Sequence, residues 1–135
     1  MASNRIRRNI NTPIVILDTS AVLTPFEFSI DIEQELYRLL GRVSICIPQS
    51  VFLELEQLYA RNNSKTSQKA KAALCWIKRF SIIPTTNPGD AGVIEAAVQT
   101  KATVVTNDKE LRRRLKQKHI PIITLRQNQY LVLLE

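Results

Sequence analysis

The chain has one histidine, two cysteines and no apolar run near the roughly 20 residues that a membrane span requires. Each shortage removes a class of chemistry. His119 stands alone, near the end of a helical pattern where a cation has a plain electrostatic role, and no HExxH sequence is present, so a histidine-built zinc site has no ligand set. Ser20 has no base to form a nucleophilic triad. Cys46 and Cys75 are spaced neither as a disulfide framework nor as a metal-binding pair, and both are expected to be buried free thiols. No GxxxxGK[ST] loop is available to cradle a nucleotide phosphate. The stretch MASNRIRRNINTP carries no hydrophobic signal core, which places the expected location in the cytoplasm without membrane attachment.

Acids are also in the minority, 12 Asp plus Glu against 19 Lys plus Arg, for a formal charge of +7. Such an excess favours a polyanionic partner such as nucleic acid. At 135 residues the chain fits one core, expected over residues 12–135 behind a loose basic arm at 1–11. It shows no internal repeat, low-complexity segment or linker.

The stretch IVILDTS sets the frame. Four consecutive apolar residues, Ile14 to Leu17, read as a strand covered on both faces, and the run ends in a carboxylate, Asp18. A loop containing Pro25 is expected next, then a helix in DIEQELYRLL closed by Gly41. RVSICIP reads as the second strand, with Pro48 at the first turn of a helix whose apolar face is Val51, Leu55, Leu58 and Tyr59. Asn62, Asn63 and Ser64 form a turn before a helix with Ala70, Ala73, Leu74 and Ile77 inward. SIIPTT is a strand. AGVIEAAVQT is a helix with Val93, Ile94, Ala97 and Val98 inward, and ATVVT is a further strand. NDKELRRRLKQK is a helix with Asn107 and Glu110 spaced as a capping box, IPIITL is a strand, and QYLVLLE fits either a strand or a short helix. Strands alternating with helices of this length need crossover connections, so the predicted fold is α/β, a three-layer α/β/α sandwich with a mainly parallel central sheet.

On that frame the acids gather at one edge. Asp18 ends the first strand, while Asp90 and Asp108 open the helices that follow the third and fourth strands. Glu54 lies early in the helix after the second strand, with Glu56 as its competitor. Each has a plain structural reading, as a helix-terminal acid, a turn former or a surface charge. Together, carboxylates at one edge repel one another unless a cation intervenes, and oxygen ligands without His or Cys favour Mg²⁺ or Mn²⁺ over zinc. Such an ion can activate a water and neutralise charge on a phosphodiester under attack. A haloacid-dehalogenase phosphotransferase would need a second Asp where Ser20 stands, and a receiver domain would need its Asp at the third strand's end.

The stretches ILDTSAVL, PQSVFLELEQL, GDAGVIEAAV and ATVVTNDKELRRRLKQKHIPIITLR resemble, in order, the four acidic blocks of PIN-domain ribonucleases, over about residues 12–126. The likeness is to archaeal members related to VapC-type toxins and to small-subunit ribosomal-RNA processing nucleases. It implies a PIN-like fold and a metal-dependent endoribonuclease leaving 5′-phosphate ends. Asp18, Glu54, Asp90 and Asp108 would be its catalytic, metal-binding acids, with Ser20, Thr106 and Asn107 in support. It also implies ribosomal-RNA processing or a toxin role, an antitoxin or ribosome-assembly partner, and a homodimer for which Leu53, Trp76 and the YLVLL stretch are spare apolar residues. A catalytically weak or inactive RNA-binding module is the alternative on the same fold. Gly89 stands where relatives of this branch often carry another acid, which weakens a second metal site. Phosphate contacts are assigned to Lys65, Lys69, Lys71, Lys78 and Arg79 and to Arg112, Arg113, Arg114 and Lys116. Trp76, off its helix's apolar arc, is expected to stack a base, meet a second subunit or pack within the chain.

Overall fold

A computed structural model describes residues 12–61 and 64–134. The expected arm at 1–11 and the Asn62 and Asn63 positions of the expected turn lie outside the described residues. The chain runs β1 (Ile14–Leu17), α1 (Thr19–Phe28), α2 (Ile32–Leu40), β2 (Ser44–Pro48), α3 (Gln49–Tyr59), α4 (Ser64–Ile77), β3 (Ser81–Ile83), α5 (Gly89–Thr100), β4 (Thr103–Val105), α6 (Lys109–Gln117), β5 (Ile122–Arg126) and β6 (Tyr130–Leu133).

The strands form one sheet in the order β3-β2-β1-β4-β5-β6, parallel except for the β5–β6 hairpin. From β1 the chain steps outward to β2 and β3, then crosses back and steps outward from β4 on the other side. The direction of winding therefore reverses between β1 and β4, and open α/β sheets place ligands at the strands' carboxyl ends at such a reversal. All four β1 residues are buried, as their apolar run predicts, and burying each such side chain contributes about 1.5–3 kcal/mol relative to exposure.

Several expectations are corrected. The segment after Asp18 is a helix despite Pro25, with Asp18 as its N-cap accepting from the Ala21 N–H. Proline at the seventh position removes one backbone donor, but the helix is anchored by its cap and by buried Ala21, Val22 and Thr24. Pro48 is the N-cap of α3 and the last residue of β2 rather than a first-turn residue. Tyr59 and Val98 are exposed, and the buried arc of α5 is completed on its other side by Ala96. Asp108, not an Asn107–Glu110 box, caps α6. The ambiguous tail is β6, turned back by Gln127 and Asn128, whose positive φ values of 55° and 56° suit a tight hairpin without glycine's help.

Cys46 is buried as expected, but Cys75 is exposed; neither forms a disulfide. Trp76 packs within the chain, edge-on to Phe26 and Phe80 with ring centroids 6.2 and 5.2 Å away. Of the spare apolar side chains, Leu53 and Leu133 are exposed while Leu131 is buried. No described helix is long and apolar enough to cross a membrane.

Candidate functional site

Asp18 sits at the carboxyl end of β1, and Thr106 follows the end of β4, on the two sides of the winding reversal. The Asp18 carboxylate is only 4% exposed. One oxygen accepts from the Ala21 N–H and the Ser20 hydroxyl, each at 2.8 Å, and the other accepts from the Thr106 hydroxyl. Burial pushes its pKa up to about 6. The Thr106, Ala21 and Ser20 donors oppose that rise, and the nearby Asp90 charge adds to it.

Thr106 also accepts from the Asp108 N–H at 3.0 Å, so its one hydroxyl links two of the acids. Asn107, just after β4, ties α1 and β5 together. Its N–H donates to Ser20 Oγ at 2.9 Å, its side-chain amide donates to Thr24 Oγ1 at 3.1 Å, and its Oδ1 accepts from the Leu125 N–H at 3.1 Å. Ser20, Thr106 and Asn107 thus hold β1, β4, β5 and α1 in register around Asp18. Thr24, buried in α1, is a member of this network that the sequence did not reveal, because Pro25 beside it reads as a loop.

The other acids arrive from helices. Asp108 caps α6 by accepting from the Glu110 and Leu111 N–H groups at 2.8 and 3.2 Å. Asp90 lies in the first turn of α5, and its pKa is raised by partial burial and then by the charges of Asp108 and Glu54, against a lowering by Arg114. Glu54 on α3 is exposed and accepts from Thr19 Oγ1 at 2.8 Å. Thr19 is a second participant that the sequence missed; its only signal is its place between Asp18 and Ser20. All four acids line one cavity of about 280 Å³, floored by Leu23, Leu58 and Val93. Glu56, the competitor, is exposed and is not among the cavity's lining residues. Gly89 has φ +56°, in the left-handed region that glycine adopts most freely.

None of the four acids joins an ion pair among the described residues, although the chain carries +7. Their all-oxygen donor set suits a hard divalent cation. As the side chains stand, no group of three or more Asp, Glu, His or Cys among the described residues is arranged to hold an ion, so closing a shell requires the exposed carboxylates to turn inward.

The expected phosphate contacts fall on two helices, and none lines the acidic cavity. On α4, Lys69 stands 3.9 Å from Glu27, while Lys65 and Lys71 are exposed; just beyond the helix, Lys78 is exposed and Arg79 pairs with Glu33 at 2.7 Å. On α6, Arg113 pairs with Glu110, Arg112 donates to Thr124 at 2.9 Å, and Arg114 is close enough to act on Asp90. Arg112, Arg113 and Lys116, with Lys109 and His119, line a groove of about 740 Å³.

A family model described as a PIN like domain matches residues 15–128, from within β1 to the β5–β6 turn, which spans all four acids. The chain belongs to the PIN-like domain family. Ribonuclease VapC9 of Archaeoglobus fulgidus is 32% identical over 90% of this chain and 89% of its own length. Ribonuclease VapC4 of Methanocaldococcus jannaschii is 30% identical, covering 86% of this chain and 92% of its own. Among solved structures, the PIN domain endonuclease Utp24 superposes with a TM-score of 0.73 at 28% identity, over 89% of this chain and 90% of that chain. Rickettsia felis VapBC2, solved on a promoter DNA fragment, shares the fold with a TM-score of 0.58 at 19% identity, over 84% of this chain and 99% of its own.

Proposed function

We propose that this PIN-like domain is an endoribonuclease dependent on Mg²⁺ or Mn²⁺. The observation that carries the reading is the convergence of Asp18, Glu54, Asp90 and Asp108, from four separate elements, on one cavity without neutralising ion pairs. The ribonuclease names of the two VapC relatives and the endonuclease name of Utp24 support it.

In this reading the four acids hold the cation. When bound, a divalent ion lowers the pKa of a water and stabilises charge developing on the phosphate. The protein's own contribution is positioning. Ser20, Ala21 and Thr106 fix Asp18, Thr19 steadies Glu54, and the α6 cap holds Asp108. Lys109, Arg112, Arg113 and Lys116 recur at i, i+3, i+4 and i+7 along α6, beginning one residue after Asp108, so a phosphate backbone leaving the cavity meets a continuous cationic row. Lys65, Lys69, Lys71, Lys78 and Arg79 supply further backbone contacts around α4, and Arg114 acts next to Asp90.

Labelled single-stranded and structured RNAs, incubated with the purified protein in EDTA, Mg²⁺ or Mn²⁺, test this. Cleavage to 5′-phosphate ends in Mg²⁺ or Mn²⁺ alone, lost in Asp18→Asn, is the expected result. RNA binding without cleavage under every condition would leave an RNA-binding module instead. Two settings follow from the family resemblance, maturation of ribosomal RNA and a toxin restrained by an antitoxin. Induced expression separates them: growth arrest reversed by a co-expressed neighbour marks the toxin, and ribosomal-RNA precursors accumulating on depletion mark the processing enzyme.

A further inference from the structure

A second cavity, of about 400 Å³, shares Glu54 and Asp90 as a wall with the acidic one and opens between α3 and the loop 84–88. Its loop is held rigid before any ligand arrives. Glu95 accepts from the Thr86 and Asn87 N–H groups at 2.9–3.0 Å and from the Asn87 side-chain amide at 3.1 Å, and Gln49 accepts from the Thr85 N–H at 3.3 Å. Gly92 lets α5 close against α3. A Cβ there would lie 2.4 Å from the Asn87 carbonyl oxygen and 2.5 Å from Ser50 Oγ.

Ser50 is the unusual member of this wall. It is 3% exposed, and its hydroxyl is the one buried side-chain polar atom among the described residues without a hydrogen-bond partner. A hydroxyl left so is costly unless something else satisfies it. Around it the cavity presents Gln57, an amide that can donate and accept side by side, Leu53, an aliphatic side chain 48% exposed, and Arg61. Carboxylates on the shared wall disfavour an anion, so a phosphate does not suit this seat. A flat neutral group edged with donors and acceptors does, and the volume accommodates one nucleoside.

We propose that this cavity seats the base of an unpaired nucleotide adjacent to the phosphate held at the acidic site, and thereby sets the sequence preference of the protein. Leu53 lies against the base face, while Gln57 and Ser50 read its edge. Arg61 neutralises the backbone beyond it. The inference rests on the RNA-cleaving reading for its substrate, but its test is independent of cleavage.

Binding of four fluorescent hexamers, of A, C, G and U, is measured in the Asp108→Asn background, where the RNA stays intact. Preference for one hexamer by about fivefold or more is expected, falling below about twofold in Gln57→Ala, consistent with the loss of one base-edge contact. Ser50→Ala is the sharper variant. It removes an unpartnered hydroxyl, so its melting temperature stays equal or rises while the preference falls; a purely structural serine would not separate the two. Lys65→Ala with Lys71→Ala should weaken all four hexamers alike and keep their ratio. Equal affinity for the four hexamers, no binding of any, or a preference untouched by Gln57→Ala and Ser50→Ala overturns the subsite. Cleavage by the wild type, assayed in parallel, distinguishes the failures: cleavage with an unmoved preference sinks the subsite alone, and a lost preference without cleavage sinks the nuclease reading alone.

Discussion

The two sides of the acidic cavity are built differently. On the β1–β4 side, Asp18 is buried and held by three donors, and Thr106 and Asn107 are pinned in turn to α1 and β5. On the α3 side, Glu54 is exposed and takes a single hydroxyl donor from Thr19. A carboxylate at a strand end inherits the rigidity of the sheet, whereas one on an outer helix face keeps its rotamers. The first can define where a cation sits and the second can close over it. The exposed carboxylates of Glu54 and Asp108 also stay in water, where their mutual repulsion is screened.

The largest effect should come from breaking the rigid side. Thr106→Val keeps the shape but leaves a buried carboxylate oxygen and the Asp108 N–H each short of a partner. A stability loss of about 2–3 kcal/mol in chemical denaturation and an activity loss of about 10- to 100-fold are expected. Thr19→Val, its counterpart on the exposed side, should cost well under 1 kcal/mol. Equal losses from the two would erase the contrast.

Protonation gives the next test. The folded-state pKa of Asp18 is raised to about 6 from 3.8, so burying the charged form opposes folding at neutral pH and that penalty fades as pH falls through 6 toward 4. In EDTA, the melting temperature of the wild type relative to Asp18→Asn should therefore rise on acidification from pH 7 to 5, while stabilisation by Mn²⁺ declines over the same window. Glu35, Glu95 and Glu110 have lowered values, so their stabilising contributions are lost only at more acidic pH, while Asp90, whose value is raised, shifts stability in the same direction as Asp18 but is present in both proteins being compared. A difference between the two proteins that does not move with pH would argue against a strained Asp18.

Asp108→Asn should act more subtly. Asparagine can still cap α6, so the metal-free protein should melt at an unchanged or higher temperature, with the lost dipole interaction at a few tenths of a kcal/mol set against relief of repulsion toward Asp90. Mn²⁺ should stabilise the wild type far more than the mutant. Identical metal responses would reduce Asp108 to a helix cap. Smallest of all is Glu56→Gln, on the same helix as Glu54 but away from the cavity; its melting temperature and cleavage rate should match wild type, with a stability change within about 0.5 kcal/mol.

Much of this architecture was legible without coordinates. The IVIL run reads as a strand covered on both faces, and alternating strand and helix periods call for a mainly parallel sheet with its loops at shared edges. From those two facts the gathering of Asp18, Asp90 and Asp108 follows, because parallel strands deliver their carboxyl ends to one side. Helical apolar spacing likewise put Val51, Leu55, Ala73, Ile77 and Val93 inside, where they are buried. What needed the tertiary structure was every relation that crosses elements. Thr106 meets Asp18 across 88 positions because Leu17 and Val105 are register partners, which no local period encodes. A helix runs through Pro25 because its cap and buried face outweigh one missing donor. Trp76 turns inward because Phe26 and Phe80 are there to receive it. Periodicity reports which face of an element is dry; only packing decides what stands on the other side of that face.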